Sequence, residues 1–353
     1  NRETYTVEDD AFTLNNPTKT GHTFMGWTGT GLSGNTLEVT VAKGSTGDRA
    51  YAANWAANYY AINVNENNGS LTFNGEEQTT VYALFNSAKL YVAETAPSYV
   101  YENVSYNVNG DEITVVTVSE ITAIAGTRSG YTLNTLTTSN GYTIEEESRV
   151  LDNVYTDAVT KDVTLTANWK AVGYTLTLNP NTPENATASV TPAGNVEIDV
   201  VFDTTTGLTS TYIATLTGWI FGGYYTQNGT QIINSNGAVL ANTSYTNEDE
   251  TVHYISNGKW VFADNLVLYA DWTAEQYGIN FVGNGGKTES SDASYTQSGI
   301  AYDVATVLMA NAFIRTGYTF IGWKSGTNNG YYGNAADNCV TPVTTSEYIA
   351  DGS

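Results

Sequence analysis

The chain has 353 residues, too many for one ordinary core and suited to two to four domains. Hydrophobic residues make up 41%, enough to fold, while charged residues make up 14% against roughly 25% in average proteins. Its 13 Lys and Arg face 36 Asp and Glu, and the net charge of -23 argues against nucleic acid and anionic membrane surfaces, because both would repel it.

Polarity comes instead from Thr, Asn, Ser and Gly, and Tyr is abundant at 26 residues. Thr, Tyr and Val favour strands, and Asn and Gly favour the turns between them. Cys339 is the single cysteine, so no intrachain disulfide is available. No apolar run is long enough to span a membrane, and Asn1 opens the chain without a signal-peptide pattern.

In chain order, Gly21-His22-Thr23-Phe24-Met25-Gly26-Trp27 reads as a turn glycine, a strand, and a second glycine beside an anchoring Trp. Tyr51, Ala53 and Trp55 then alternate as one face of a strand, and Tyr60, Ile62 and Val64 as one face of the next. A turn follows at Asn67-Asn68-Gly69. Val81, Leu84, Phe85 and Ala88 fall at helical spacing and predict a helix within residues 78–94, with Thr79 or Thr80 as its cap. Residues 113–118 and 196–202 read as β-branched strands. Leu165, Ala167 and Trp169 repeat the closing pattern, and Tyr174, Leu176 and Leu178 repeat the opening one. Leu268, Ala270, Trp272 and then Tyr277, Ile279, Phe281 repeat both again, followed by the turn Gly283-Asn284-Gly285-Gly286. Residues 303–312 are a second helix candidate, and Gly317-Tyr318-Thr319-Phe320-Ile321-Gly322-Trp323 restates the central phrase. Ile213-Ala214-Thr215-Leu216-Thr217-Gly218-Trp219 reads as a degraded copy of it, and Gly130-Tyr131-Thr132-Leu133 as a remnant.

The gap from closing Trp to opening Tyr is five residues each time, Trp55 to Tyr60, Trp169 to Tyr174 and Trp272 to Tyr277. A fixed spacing of this kind marks a tandem array. It predicts a partial module over 1–55 that lacks an opening strand, modules with insertions over 60–169 and 174–272, and a partial module over 277–353 that lacks a closing strand. Connectors of four residues, 56–59, 170–173 and 273–276, leave little freedom, so the array is expected to be elongated and semi-rigid. Trp27, Trp55, Trp169, Trp219, Trp272, Trp323, Tyr60, Tyr174 and Tyr277 are the expected structural anchors, because recurrence says each module needs them to fold.

These phrases resemble the Listeria–Bacteroides repeat family, the internalin-type B repeat, with its opening Tyr strand, Asn-Gly-Gly turn, central Gly-Tyr-x-Phe-x-Gly-Trp and closing Ala-x-Trp. The first and last modules carry the pattern best. The resemblance implies mainly β, β-grasp-like α+β modules with at most one short helix each, in a secreted bacterial surface protein. Such modules would space a functional domain from the cell wall or contact a host protein, a neighbouring subunit or a surface glycan.

Catalytic chemistry finds little support. His22 takes the slot of Tyr318 in the matching phrase, and His253 lies in a strand-like run; neither has a second His or Cys at ligand spacing. Glu145-Glu146-Glu147 and Glu248-Asp249-Glu250 read as solvated loops rather than a carboxylate pair. Asn63, Asn65, Asn67 and Gly69 have the spacing of an oxygen-ligand loop, but the carboxylates that give calcium affinity are missing. No catalytic residue, cofactor or metal is therefore expected. Trp260 belongs to no repeated phrase and is the one aromatic singled out as a contact residue. The leading expectation is a non-enzymatic extracellular stalk or adhesive spacer. The alternatives are a filament subunit, associating head-to-tail by strand complementation between incomplete modules, and a carbohydrate-binding array.

Overall fold

The computed structural model describes residues 1–145, 163–320, 322–324 and 331–332. The chain divides into two compact units, Asn1–Ala171 and Val172–Ser353. Among the described residues every helix or strand element is a strand, so the fold is mainly β. The alternation read from the sequence is the cause: along Val163–Ala171, Val163, Leu165 and Ala167 are buried while Thr164 and Thr166 between them are half-exposed.

The first unit is organised on one long strand, Tyr51–Asn65. Its first half pairs antiparallel with His22–Gly29. Its second half pairs antiparallel with Thr80–Leu84 and parallel with Val163–Ala171, which pairs antiparallel with Tyr131–Thr138, and that strand with Thr143–Glu145. The second unit repeats this order: Val196–Val201, Gly173–Asn179, Leu266–Ala274, Trp219–Tyr225, Gln231–Ile233, again with the opening and closing strands parallel at the centre. A parallel central pair flanked by antiparallel hairpins suits a β-grasp-like module. The cores follow from that pair: Ile62, Val81, Leu165 and Ala167 are buried together in one unit, and Leu176, Leu178, Val200, Leu268 and Ala270 in the other.

The expected helices are absent. Residues 78–94 form two paired strands, Thr80–Leu84 and Leu90–Ala93, turning at Asn86, whose φ is 57°. Thr80, Val81 and Tyr82 favour a strand, and a left-handed Asn ends it, so apolar residues at helical spacing are split between a strand and a turn. Residues 303–312 form no regular element, and Asp303 sits at φ 53°.

Each full module adds a small three-stranded insertion. Between Leu90–Ala93 and Tyr131–Thr138, the strand of the central phrase, the first unit carries the ribbon Tyr99–Tyr101, Val104–Asn109, Glu112–Val115. In the second unit, Thr243–Thr246, Thr251–Ser256 and Lys259–Trp260 form a separate sheet before the closing strand.

Candidate functional site

The anchors of the repeat meet in a clasp that locks the opening turn onto the closing strand. In the first unit the Asn65 side-chain carbonyl accepts the Asn67 N–H at 3.1 Å, and the Asn67 amide donates to the Ala167 carbonyl at 3.0 Å. The Trp169 indole donates to the Glu66 carbonyl at 2.9 Å. The second unit repeats all three bonds: Asn181 N–H to Asn179 Oδ1 at 2.7 Å, Asn181 Nδ2 to the Ala270 carbonyl at 2.9 Å, and Trp272 Nε1 to the Pro180 carbonyl at 2.9 Å. Asn67 and Asn181 hold φ of 49° and 44°, a region that Asn tolerates better than most residues. This accounts for Ala-x-Trp chemically: the Ala is small and buried and offers its carbonyl, and the Trp caps the turn. A Cβ added to Gly69 would stand 2.1 Å from the Trp169 ring, so that glycine makes room for the indole.

The central strands pair with the closing strands in one register. Phe24 faces Trp55, Leu133 faces Trp169 and Phe221 faces Trp272, each followed by a bulge. This register corrects the reading of residues 213–219. Gly218, Phe221 and Gly223 match Gly21, Phe24 and Gly26, so Trp219 holds the His22 position and Tyr224 the Trp27 position. The backbone agrees, with φ of 115° at both Gly26 and Gly223. Phe24 makes edge contacts to both Trp27 and Trp55, and Phe221 packs likewise on Tyr224 and Trp272. Trp219 is thus not the counterpart of Trp27 and Trp323, and its buried indole nitrogen has no hydrogen-bond partner. Trp323 packs 4.5 Å from Phe281 in the last module.

A second constellation joins successive modules. The segment 56–59 is no loop; it continues Tyr51–Asn65, and Glu275 alone separates Leu266–Ala274 from Gln276–Val282. Asn58 N–H donates to the Gly21 carbonyl at 3.0 Å, and Phe85 N–H donates to the Asn58 carbonyl at 2.9 Å. In the second unit Glu275 N–H donates to the Gly218 carbonyl and Tyr302 N–H to the Glu275 carbonyl, both at 2.9 Å. The following aromatic lies directly over the glycine: a Cβ on Gly21 would come within 2.1 Å of Phe85, and one on Gly218 within 2.2 Å of Tyr302. Tyr60 packs beside Phe85 and Tyr277 beside Tyr302, so these opening tyrosines flank the joints. Tyr174 pairs with Val200, and burial pushes its phenol up.

Two arginines that sequence reasoning missed belong to the same framework. Arg128 stacks 3.9 Å over Tyr131 and donates to the Asn67 carbonyl at 3.3 Å. Arg315 stacks 3.9 Å over Tyr318 and donates to the Asn284 carbonyl at 2.8 Å. The recurring Arg-x-Gly-Tyr at 128–131 and 315–318 was the available signal.

Trp260 is fully buried in the core of the second unit, with Asp203 N–H bonded to its carbonyl at 2.7 Å, so its ring offers no face to a ligand. The sequence misleads here because an unrepeated insertion needs its own unrepeated core residue. His22 packs edge-on against Phe85, and His253 is exposed on its strand. Glu248, Asp249 and Glu250 form an exposed turn held by Asn247. Glu146, Glu147 and Cys339 lie outside the described residues. Among the described residues no three His, Cys, Asp or Glu cluster to hold a metal, and Asn65 and Asn67 spend their side chains in the clasp. A groove of about 520 Å³ in the second unit is lined by Asn228, Tyr254 and Tyr269 among others, with no charged side chain to act as acid or base.

No protein-family model and no solved structure matches the chain. A protein of Evansella cellulosilytica described as a "Putative membrane protein" is 38% identical over 66 residues, which is 18% of this chain and 10% of that protein. The chain therefore matches only a small part of that relative. No helix among the described residues is long and apolar enough to cross a membrane.

Proposed function

We propose that the chain is a non-enzymatic repeat segment of an extracellular bacterial surface protein, acting as a stalk or adhesive spacer. The observation that carries this reading is the joint. One continuous strand serves as the closing strand of one module and the opening strand of the next, and an aromatic of the second module covers a glycine of the first. A spacer must transmit length, so its joints must resist bending. A hydrogen-bonded strand capped by a packed ring does that, where a polar linker would not. The Listeria–Bacteroides-type frame of the sequence supports the surface location, and the charge of -23 keeps such a segment soluble.

The test uses spin labels on Glu38→Cys and Glu77→Cys, exposed residues on either side of the first joint, in a Cys339→Ser chain. The expected result is one narrow distance distribution, which Phe85→Ala broadens. A broad distribution in the chain with Phe85 intact would overturn the spacer reading.

A further inference from the structure

The ribbon of the first unit ends in a strand, Glu112–Val115, that is exposed on both faces and pairs with Val104–Asn109 alone among the described residues. Ile113 is 58% and Val115 70% exposed, and Val108, directly across from Ile113, is 39% exposed. Residues 104–118 contain no Lys, Arg or Pro, and their charges, Asp111 and Glu112, sit in the turn and at the strand's first position, leaving Ile113–Val115 without the charges or Pro that ordinarily blunt a free sheet edge. The Val116 N–H bonds the Ser105 carbonyl at 2.9 Å. Antiparallel alternation then turns the backbone groups of Thr114 inward as well, and those of Ile113 and Val115 outward to the open edge. The edge strand of the second unit, Val196–Val201, is different: Glu197 and Asp199 occupy its exposed positions, and self-pairing about Ile198 would set carboxylate against carboxylate.

We propose that Glu112–Val115 is an association edge that pairs antiparallel with the same strand of a second copy, about a two-fold axis at Thr114. Of the registers the outward groups allow, this one engages both outward residues of each strand, because it sets the groups of Ile113 against those of Val115 in the other copy, and the reverse. It also joins Val108, Ile113 and Val115 of both copies into one apolar stripe. Self-complementarity of the apolar edge favours a second copy, and local charge permits it despite the net charge of -23. From Ile113 to Val118 the edge has no ionisable side chain, and the axis sets each Glu112 opposite Val116 rather than opposite its twin. The two Glu112 stand about 14 Å apart along the strands, beyond a Debye length at physiological salt. The like charge of the remaining surface opposes approach over longer range, so association strengthens as salt rises.

The test is made on the full chain in a Cys339→Ser background. Sedimentation velocity is expected to show a monomer–dimer equilibrium that shifts to dimer with concentration and with salt. In this register Thr114 faces Thr114 as a non-hydrogen-bonded pair with Cα atoms about 4.5 Å apart, within disulfide reach. Mild oxidation of Thr114→Cys is therefore expected to yield a covalent dimer. Glu112→Cys alone should not cross-link, whereas Glu112→Cys mixed with Val116→Cys should. Val115→Lys, at an exposed position, should abolish the dimer and leave the circular dichroism unchanged. A chain that stays monomeric at every concentration, or that cross-links through Glu112→Cys as readily as through Thr114→Cys, would overturn the proposal.

Discussion

The two full modules share a five-stranded order and a clasp, and they differ in what their insertions do. The ribbon of the first unit leans on the joint: Tyr59, in the long strand, bonds Ser105 through its hydroxyl at 3.1 Å, and Asn35 of the preceding module donates to the Tyr101 hydroxyl at 2.6 Å. Its outer strand buries nothing. The insertion of the second unit turns inward and seats Tyr254, Ile255 and Trp260 in the module's own core. A conserved sheet order thus tolerates two kinds of addition, one that braces a neighbour and leaves a bare edge, and one that enlarges the core. The physical distinction is the apolar area each commits, since burial dominates folding free energy.

Trp260→Ala gives the largest test of that difference. Removing a fully buried Trp is expected to cost about 3–5 kcal/mol and to lower the unfolding midpoint of the second unit. Hydrogen exchange resolved by region would read it, with the first unit left at its original protection. Equal loss of protection in both units would break the comparison by showing that they unfold as one.

The clasp should behave alike in both modules. Asn67→Ala and Asn181→Ala each remove a side-chain bond and place Ala at φ 49° or 44°. Each is expected to cost about 2 kcal/mol, the sum of about 1 for the bond and about 1 for the backbone. Asn→Gly at the same positions relieves the backbone and isolates the bond at about 1 kcal/mol. Denaturant titration of the four variants checks this. A large asymmetry between the two modules would mean that the shared geometry does not carry shared energy.

The alternating strands were legible because period-two burial is written directly in residues such as Leu165, Ala167 and Leu268, Ala270. The turn at Asn67 was legible too, but not its grip on Ala167, because the partner lies 100 residues away and no local pattern encodes it. The helix at residues 78–94 failed because Val81, Leu84, Phe85 and Ala88 serve a strand, a turn and the joint rather than one helical face. The frame of the central phrase slipped at Gly218-Trp219 because that pair imitates the phrase's last two residues, while the backbone uses Gly218 as its first. Trp260 misled for the reason its insertion differs: without a repeat to compare, a core residue looks like a surface one.

Alkaline pH sharpens the comparison at the level of single phenols. Burial raises Tyr59, at the braced joint, and Tyr224, in the enlarged core, above the ordinary phenol value of about 10. A raised folded pKa means that the fold favours the protonated phenol. Its contribution is fully present below about pH 10 and is lost as pH climbs through the folded values. Both units should therefore weaken on the alkaline side, and Tyr59→Phe or Tyr224→Phe should each flatten the decline in its own unit. Unfolding midpoints measured from pH 8 to 11.5 would show it; a decline unchanged by both variants would assign alkaline loss to other groups.

The smallest effect is expected where the ribbon is bare. Val115→Thr removes apolar surface that water already reaches, since Val115 is 70% exposed, and keeps the β-branch that suits a strand. The stability of the monomer should change by no more than about 0.5 kcal/mol, read as the denaturant midpoint in dilute protein. Ile113→Thr should do the same. A cost near that of Trp260→Ala would place the ribbon's outer strand in a core after all and dissolve the contrast between the two insertions. A null result on stability, with loss of association at high concentration, would show that the residues are held apolar for a contact outside the fold of one chain.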